Sequence, residues 1–333
     1  MINKTNLAVI VLLIVCISGC KKNRSNQTEV DADLKVYLDE EKIENSNLLK
    51  FDSLDYVGFT GRNLPVFEAM HDAQVHVEWS GFDADNLAKH ESDLLNYYNY
   101  LAIGDGVIAH PIRIANGQWT AVVALSQSTV AGSFTKRLTA LVTVAKWKNG
   151  KITEEYLFSR TDGADSSRLK SYSTTNNYTS ANYTSPTGTD RERLAAYIAM
   201  DDSEKRNLTT FDNLDFIGWT QRNLSVFNSA HDENVYVEWS GNNATSLNKH
   251  TADAERVFTF LQPGDGVTSH PVKIAQGDWT AVIGLTSSTN AATSAKTIGA
   301  LVTIAKWRNG KIVEEYLFNR TSSAENSLLN SYR

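Results

Sequence analysis

The apolar positions along this chain change period several times. Leu7 to Val15 is an unbroken apolar run, shorter than the roughly 20 residues that span a bilayer. From residue 31 the spacing turns helical, and it predicts helices over 31–46, 61–72 and 84–101. Alternating apolar positions predict strands near 74–80, 107–115, 118–130, 137–148 and 151–159. The last two strands are joined by Lys148-Asn149-Gly150-Lys151, and Asn-Gly between apolar strands is the strongest short hairpin signal. Helices followed by an antiparallel meander predict an α+β domain with its helices on one face of the sheet.

The whole pattern is written twice. Residues 51–161 align with 211–321 at a constant offset of 160, and about 61 of the 111 positions are identical. Leu34 and Tyr37 match Leu194 and Tyr197 at the same offset. A period this long is a duplicated domain rather than a solenoid, whose units run roughly 20–50 residues. The expected domains are 30–161 and 190–325. Residues 162–189 are rich in Ser, Thr, Asn and Tyr, with Pro186 and Gly188, and read as a linker.

The amino terminus reads as a signal peptide over 1–19, followed by a polar tether over 20–29. Lys4 precedes the apolar run, and Ile17-Ser18-Gly19-Cys20 follows it. That ending resembles the lipobox of bacterial lipoproteins. The resemblance implies cleavage before Cys20, lipidation of Cys20, attachment to a membrane through that lipid and a location in the bacterial cell envelope. Cys16 and Cys20 are the two cysteines of the chain, so the domains carry no thiol for disulfides, thiolate metal sites or nucleophilic catalysis. The net charge is −6, with no block of basic residues, and nucleic acid is not an expected partner.

Several runs carry a family likeness. They are His110-Pro111-Ile112-Arg113-Ile114, Gly117-Gln118-Trp119-Thr120-Ala121-Val122, and Trp147 with Asn149-Gly150-Lys151-Ile152 and Glu154-Glu155-Tyr156-Leu157-Phe158. His71-Asp72 with Val75, Val77 and Trp79 belongs with them, and the second repeat matches throughout. These runs resemble the SnoaL-like polyketide cyclases of the NTF2-like superfamily. The resemblance implies tandem NTF2-like (cystatin-like) cones, in which a curved sheet wraps helices around an apolar pocket. Members often follow the Glu-Glu-Tyr-Leu-Phe run with Trp-Asp-Asn. This chain has Ser159-Arg160-Thr161 and Asn319-Arg320-Thr321 there, which sets an arginine where the family has an acid.

Candidate chemistry follows the repeat. Six histidines pair at the offset: His71/His231, His90/His250 and His110/His270. Histidine can shuttle protons near neutral pH, and His110 and His270 are candidate catalytic residues. The other two pairs, with Trp79, Trp239, Trp119 and Trp279, are candidate pocket residues. A two-residue Asn149-Gly150 turn pairs Trp147 with Ile152 and Val144 with Glu155, which sets Glu155 beside Val142, Val144 and Leu157. Glu315 repeats this. A carboxylate on such a face is either a functional acid or the partner of Lys146, and a slip of one residue exchanges it with Glu154. No tight histidine spacing suggests a metal, and no phosphate-loop or dinucleotide fingerprint suggests a cofactor. Two functions stay open: an envelope lipoprotein binding a small apolar or amphipathic molecule, with acid–base chemistry at Glu155 or Glu315, or a non-catalytic binding or scaffold lipoprotein. The apolar residues Leu141, Trp147, Ile152 and Phe158 suggest that the repeats pack as an intramolecular pseudo-dimer.

Overall fold

The computed structural model describes residues 4–129, 135–160, 163–164, 167–172, 184–290, 293–320 and 323–332, with side chains from Gln27 onward. The side chain of Cys20 therefore lies outside the described ones. Among the described residues no helix is long and apolar enough to cross a membrane. Residues 1–43 and 185–201 form one compact unit. Within it Tyr37 stacks on Tyr197 with ring centroids 5.2 Å apart, and Glu41 accepts hydrogen bonds from Tyr197 and Ser185. The matched tyrosines of the two repeats thus meet each other.

The second unit holds the rest of both repeats. In the first repeat helix α1 (Lys4–Ser53) runs directly into a π-helical turn, Leu54–Thr60. Helix α2 (Leu64–Met70) starts at Asn63, whose side chain accepts a hydrogen bond from the Val66 amide. Strand β1 (His71–Glu78) and helix α3 (Leu87–Tyr97) follow, with Asn86 capping α3. The meander is β2 (Gly106–Asn116), β3 (Trp119–Thr129), β4 (Lys136–Lys148) and β5 (Lys151–Ser159). The second repeat gives α4 (Asp190–Asn213), a π-helical turn (Leu214–Trp219), α5 (Leu224–Ala230), β6 (His231–Glu238), α6 (Leu247–Phe258), β7 (Gly266–Gln276), β8 (Trp279–Thr289), β9 (Lys296–Arg308) and β10 (Lys311–Asn319). The α+β class and each expected strand are present. Gly58, in the first π turn, sits where a Cβ would come within 3.3 Å of the Phe67 backbone, so α2 can close over the turn.

One sheet joins the repeats in the order β2-β3-β4-β5-β10-β9-β8-β7, with β5 meeting β10 at Ser159 and Asn319. β1 and β6 pair in parallel with β5 and β10, outside the antiparallel path. The hairpin departs from the expected register. Trp147 does face Ile152, but Lys146 faces Glu154, Ala145 faces Glu155 and Val144 faces Tyr156. Thr153 is an extra residue in β5, a β-bulge, and its hydroxyl donates to the Lys146 carbonyl at 3.3 Å. The expected pairing of Val144 with Glu155 is therefore wrong by one residue. Lys146 pairs with Glu154 at 3.0 Å, not with Glu155.

This slip also reassigns the two faces of the sheet. Ala145, Trp147 and Ile152 pack under the helices with Phe51, Leu54 and Phe67. Val142, Val144, Tyr156 and Phe158 pack with Val302, Ile304, Tyr316 and Phe318 of the other repeat in a single core. Of the four residues expected between the repeats, Phe158 is there. Trp147 and Ile152 lie on the helix side instead.

The repeats also exchange buried ion pairs. Arg160 donates to Glu238 of the second repeat, and Arg320 donates to Glu78 of the first. Ser167 and the Arg168 amide also donate to Glu238, each at 2.7 Å. Ser327 and the Leu328 amide do the same for Glu78. Part of the span read as linker is thus structured: residues Arg168–Tyr172 form a short 3₁₀ helix, and Tyr172 packs on Trp279. Removing one partner of a buried pair leaves an uncompensated charge and costs about 3–5 kcal/mol. Arg160→Ala should lower the urea midpoint of the whole chain by that stability. A loss under about 1 kcal/mol would mean that the Ser167 and Arg168 donors suffice for Glu238.

Candidate functional site

On the helix side of the sheet each repeat has a cavity. The first has a volume of about 390 Å³, with walls that include Phe59, Trp79, Phe82, Tyr97, Leu141 and Leu157. Its polar lining includes Asp55, His90 and Glu155, together with Ser126, Thr139, Thr143 and Arg160. Trp79 meets Phe82 and Tyr97 at centroid distances of 4.8 and 4.7 Å, which makes an aromatic wall. The second cavity is about 180 Å³ and includes Asp215, Trp239, His250 and Glu315. Trp219 stands at the position of Phe59 and fills space against Trp239, 5.4 Å away between centroids. Sequence at the same offset puts Asn242 for Phe82 and Val257 for Tyr97.

Two buried polar clusters meet this cavity. In one, the Thr153 bulge turns Glu155 toward the helices. Its Oε2 lies 3.4 Å from Nε2 of His71 and 3.4 Å from Nε2 of His90. Nδ1 of His71 is held by the Phe67 carbonyl at 2.8 Å, the bond expected of an Nδ1–H donor. The Phe67 ring packs on both imidazoles. The second repeat reproduces this at 3.5 Å for His231 and 3.3 Å for His250 around Glu315. Burial opposes the Glu155 charge, but the two imidazoles outweigh it and hold the carboxyl down at about 2; Glu315 behaves likewise.

In the other cluster His110 sits between two aspartates. Its Nδ1 is 2.7 Å from Asp52 and its Nε2 is 2.8 Å from Asp55. Both bonds are made at once when the ring carries two protons. Arg113 also reaches Asp52. The second repeat places His270 between Asp212 and Asp215 at 2.8 and 2.9 Å, with Lys273 on Asp212. Burial raises the Asp55 carboxyl above its ordinary value, His110 pulls it back, and the nearby Glu155 charge raises it further. Burial alone would lower His110, yet its bonds to Asp52 and Asp55 raise it. Asp55 and Asp215 lie in the π-helical turns, a geometry frequent at functional sites.

The expected site residues divide into groups. Glu155, His90 and Trp79 line the first cavity, and Glu315, His250 and Trp239 line the second. His71 and His231 lie behind them, fully buried. His110 and His270 are set behind Asp55 and Asp215 rather than in the cavity wall. Trp119 and Trp279 are on the opposite face, packed in the core between the repeats, because the pleat of β3 and β8 turns them there. Asp55 and Asp215 were missed. Their signal was present in Phe51-Asp52-Ser53-Leu54-Asp55 and its repeat, where two acids three apart share a helical face.

No protein-family model and no curated protein matches the chain. Solved structures do. An NTF2-like protein from Burkholderia xenovorans LB400 overlays with a TM-score of 0.30 at 14% identity, covering 35% of this chain and 92% of its own. A candidate SnoaL-like polyketide cyclase from Jannaschia sp. CCS1 gives 0.32 at 16% identity, covering 35% and 86%. A protein with a ketosteroid isomerase-like fold from Catenulispora acidiphila DSM 44928, in complex with trimethylamine, gives 0.31 at 12%, covering 35% and 87%. Each likeness spans about one repeat.

The raised pKa of His110 fixes a direction for stability. Its contribution is complete below the ordinary imidazole value of 6.5 and is lost as pH rises through the raised value. The melting temperature of the chain should therefore fall as pH rises through that raised value. His110→Gln should flatten that fall, as read by a thermal melt series across pH.

Proposed function

We propose that the chain is a cell-envelope lipoprotein whose first repeat binds a small apolar or amphipathic molecule and performs acid–base chemistry on it, of isomerase or cyclase type. The observation that carries this reading is the first cavity: an aromatic and aliphatic wall that also includes the carboxylates of Asp55 and Glu155. Asp55 is the general acid–base group. Burial raises its carboxyl above the ordinary carboxylate value, the direction that makes it a stronger base. His110, oriented by Asp52, donates to Oδ2 of Asp55 and fixes its carboxyl group. Glu155, held ionised by two imidazoles, keeps a second and electrostatically distinct carboxylate nearby. The two environments push the carboxyl pKa values apart, as an acid and a base require.

The second repeat has the same polar groups in a smaller cavity. On this reading it binds a smaller molecule or serves as scaffold. A purely non-catalytic reading draws support from Arg160 and Arg320. They stand where the resembled family has an acid, and they are engaged in ion pairs between the repeats. The lipoprotein part rests on the run before Cys20. Cys20→Ser should move the chain from the detergent phase to the aqueous phase on phase partitioning, and a chain that stays in the detergent phase would rule out the lipid anchor.

The cavity difference gives the binding test. Phe59→Trp should reduce the affinity of the chain for an apolar fluorescent probe by roughly tenfold, equal to about 1.4 kcal/mol. Trp219→Phe should open a second probe site. Asp55→Asn should leave probe affinity within about twofold while abolishing any turnover found with a substrate. Probe binding that ignores both aromatic substitutions would place the binding elsewhere.

A further inference from the structure

We propose that His71, His90 and Glu155 bind a divalent first-row transition-metal ion, and that His231, His250 and Glu315 form a second such site. The inference goes beyond the proposed acid–base chemistry and does not depend on it. Four observations support it. First, the donor set is two imidazoles and one carboxylate, which suits zinc, iron, manganese or cobalt in their divalent states. All three residues are buried in both repeats, and one donor atom of each lies within 4.8 Å of the others.

Second, the spacing fits an ion better than it fits hydrogen bonds. The four nitrogen–oxygen distances are 3.4, 3.4, 3.5 and 3.3 Å. Hydrogen bonds of this kind are about 2.7–3.2 Å long. Two donors each about 2.1 Å from one ion, at a tetrahedral angle, stand about 3.4 Å apart.

Third, the facing atoms have no other hydrogen-bond partner among the described residues. Nε2 of His71 and Oε2 of Glu155 are buried without one, as are Nε2 of His231 and Oε2 of Glu315. Buried polar atoms are rarely left so. His71 has its other nitrogen on the Phe67 carbonyl and His231 has its own on Phe227. When the ring carries a single proton, that bond keeps it on Nδ1 and leaves the lone pair on Nε2, which is how metal-bound histidines are oriented. Fourth, His90 and Glu155 line the cavity, as do His250 and Glu315. An ion held there would direct its remaining positions into the cavity. It would favour a ligand with an oxygen donor at its buried end.

The test uses the full chain in detergent, stripped with a chelator and titrated with Zn²⁺ and, separately, Co²⁺. Two saturable ions per chain are expected, with visible cobalt absorption bands of a low-symmetry nitrogen–oxygen site. Glu155→Gln should reduce the stoichiometry to one, and Glu155→Gln with Glu315→Gln to none. Circular dichroism reports whether these variants fold; His90→Gln, whose change lies on α3 rather than in the sheet, is the alternative if they do not. X-ray absorption of the zinc-loaded natural chain needs no variant and should give nitrogen and oxygen neighbours near about 2.0–2.1 Å. No saturable uptake by the natural chain, or uptake unchanged in the folded variants, would overturn the proposal. Probe binding in the stripped chain tests the cavity separately, so either reading can fail alone.

Discussion

One extra residue in a strand decides what this protein places at the bottom of its cavity. A strand sends alternate side chains to opposite faces, so its surfaces are fixed unless a residue is inserted. Thr153 is that insertion in β5. Before it, Ile152 faces the helices; after it, Glu155 does too, while Glu154 faces the core between repeats and pairs with Lys146. β10 has the same shift between Ile312 and Glu314. In a regular strand Glu154 would take the helix-facing place and Glu155 would turn to the core between the repeats, so the bulge decides which glutamate meets the histidines.

The bulge also explains how much was legible beforehand. Element types, the hairpin and the duplication follow from apolar periodicity and Asn-Gly, and the structure matches them closely. The register beyond Ile152 could not be read, because a bulge leaves no mark in the alternation of Lys151 to Phe158. The histidine–glutamate cluster was hidden for a different reason. His71 and His90 lie on β1 and α3, and Glu155 lies far along the chain on β5; parallel pairing of β1 with β5 brings them together. Sequence spacing reports ligands on one element, not on three. Trp119 was misplaced by parity alone, since an aromatic residue on a two-faced strand packs equally well on either side.

The two copies show which features the fold needs and which it can change. The clusters around His110 and Glu155 recur with nearly unchanged distances. The cavity walls differ instead, with Trp219 for Phe59 and Val257 for Tyr97. Polar groups buried together constrain one another's position, because each that moves leaves another unsatisfied. Apolar walls accept exchange of volume at modest cost. Ligand size can therefore drift between repeats while the buried polar geometry holds.

The crossed ion pairs have a consequence for the chain's history. In a symmetric pair of identical subunits, a change on one side of the contact is made on both at once. Here Arg160 and Glu238, and Arg320 and Glu78, are four separately encoded positions of one polypeptide. Either half of the contact can be altered while the other keeps the two repeats together. Covalent fusion thus releases each cavity from having to match its twin, and the unequal volumes are what such release permits.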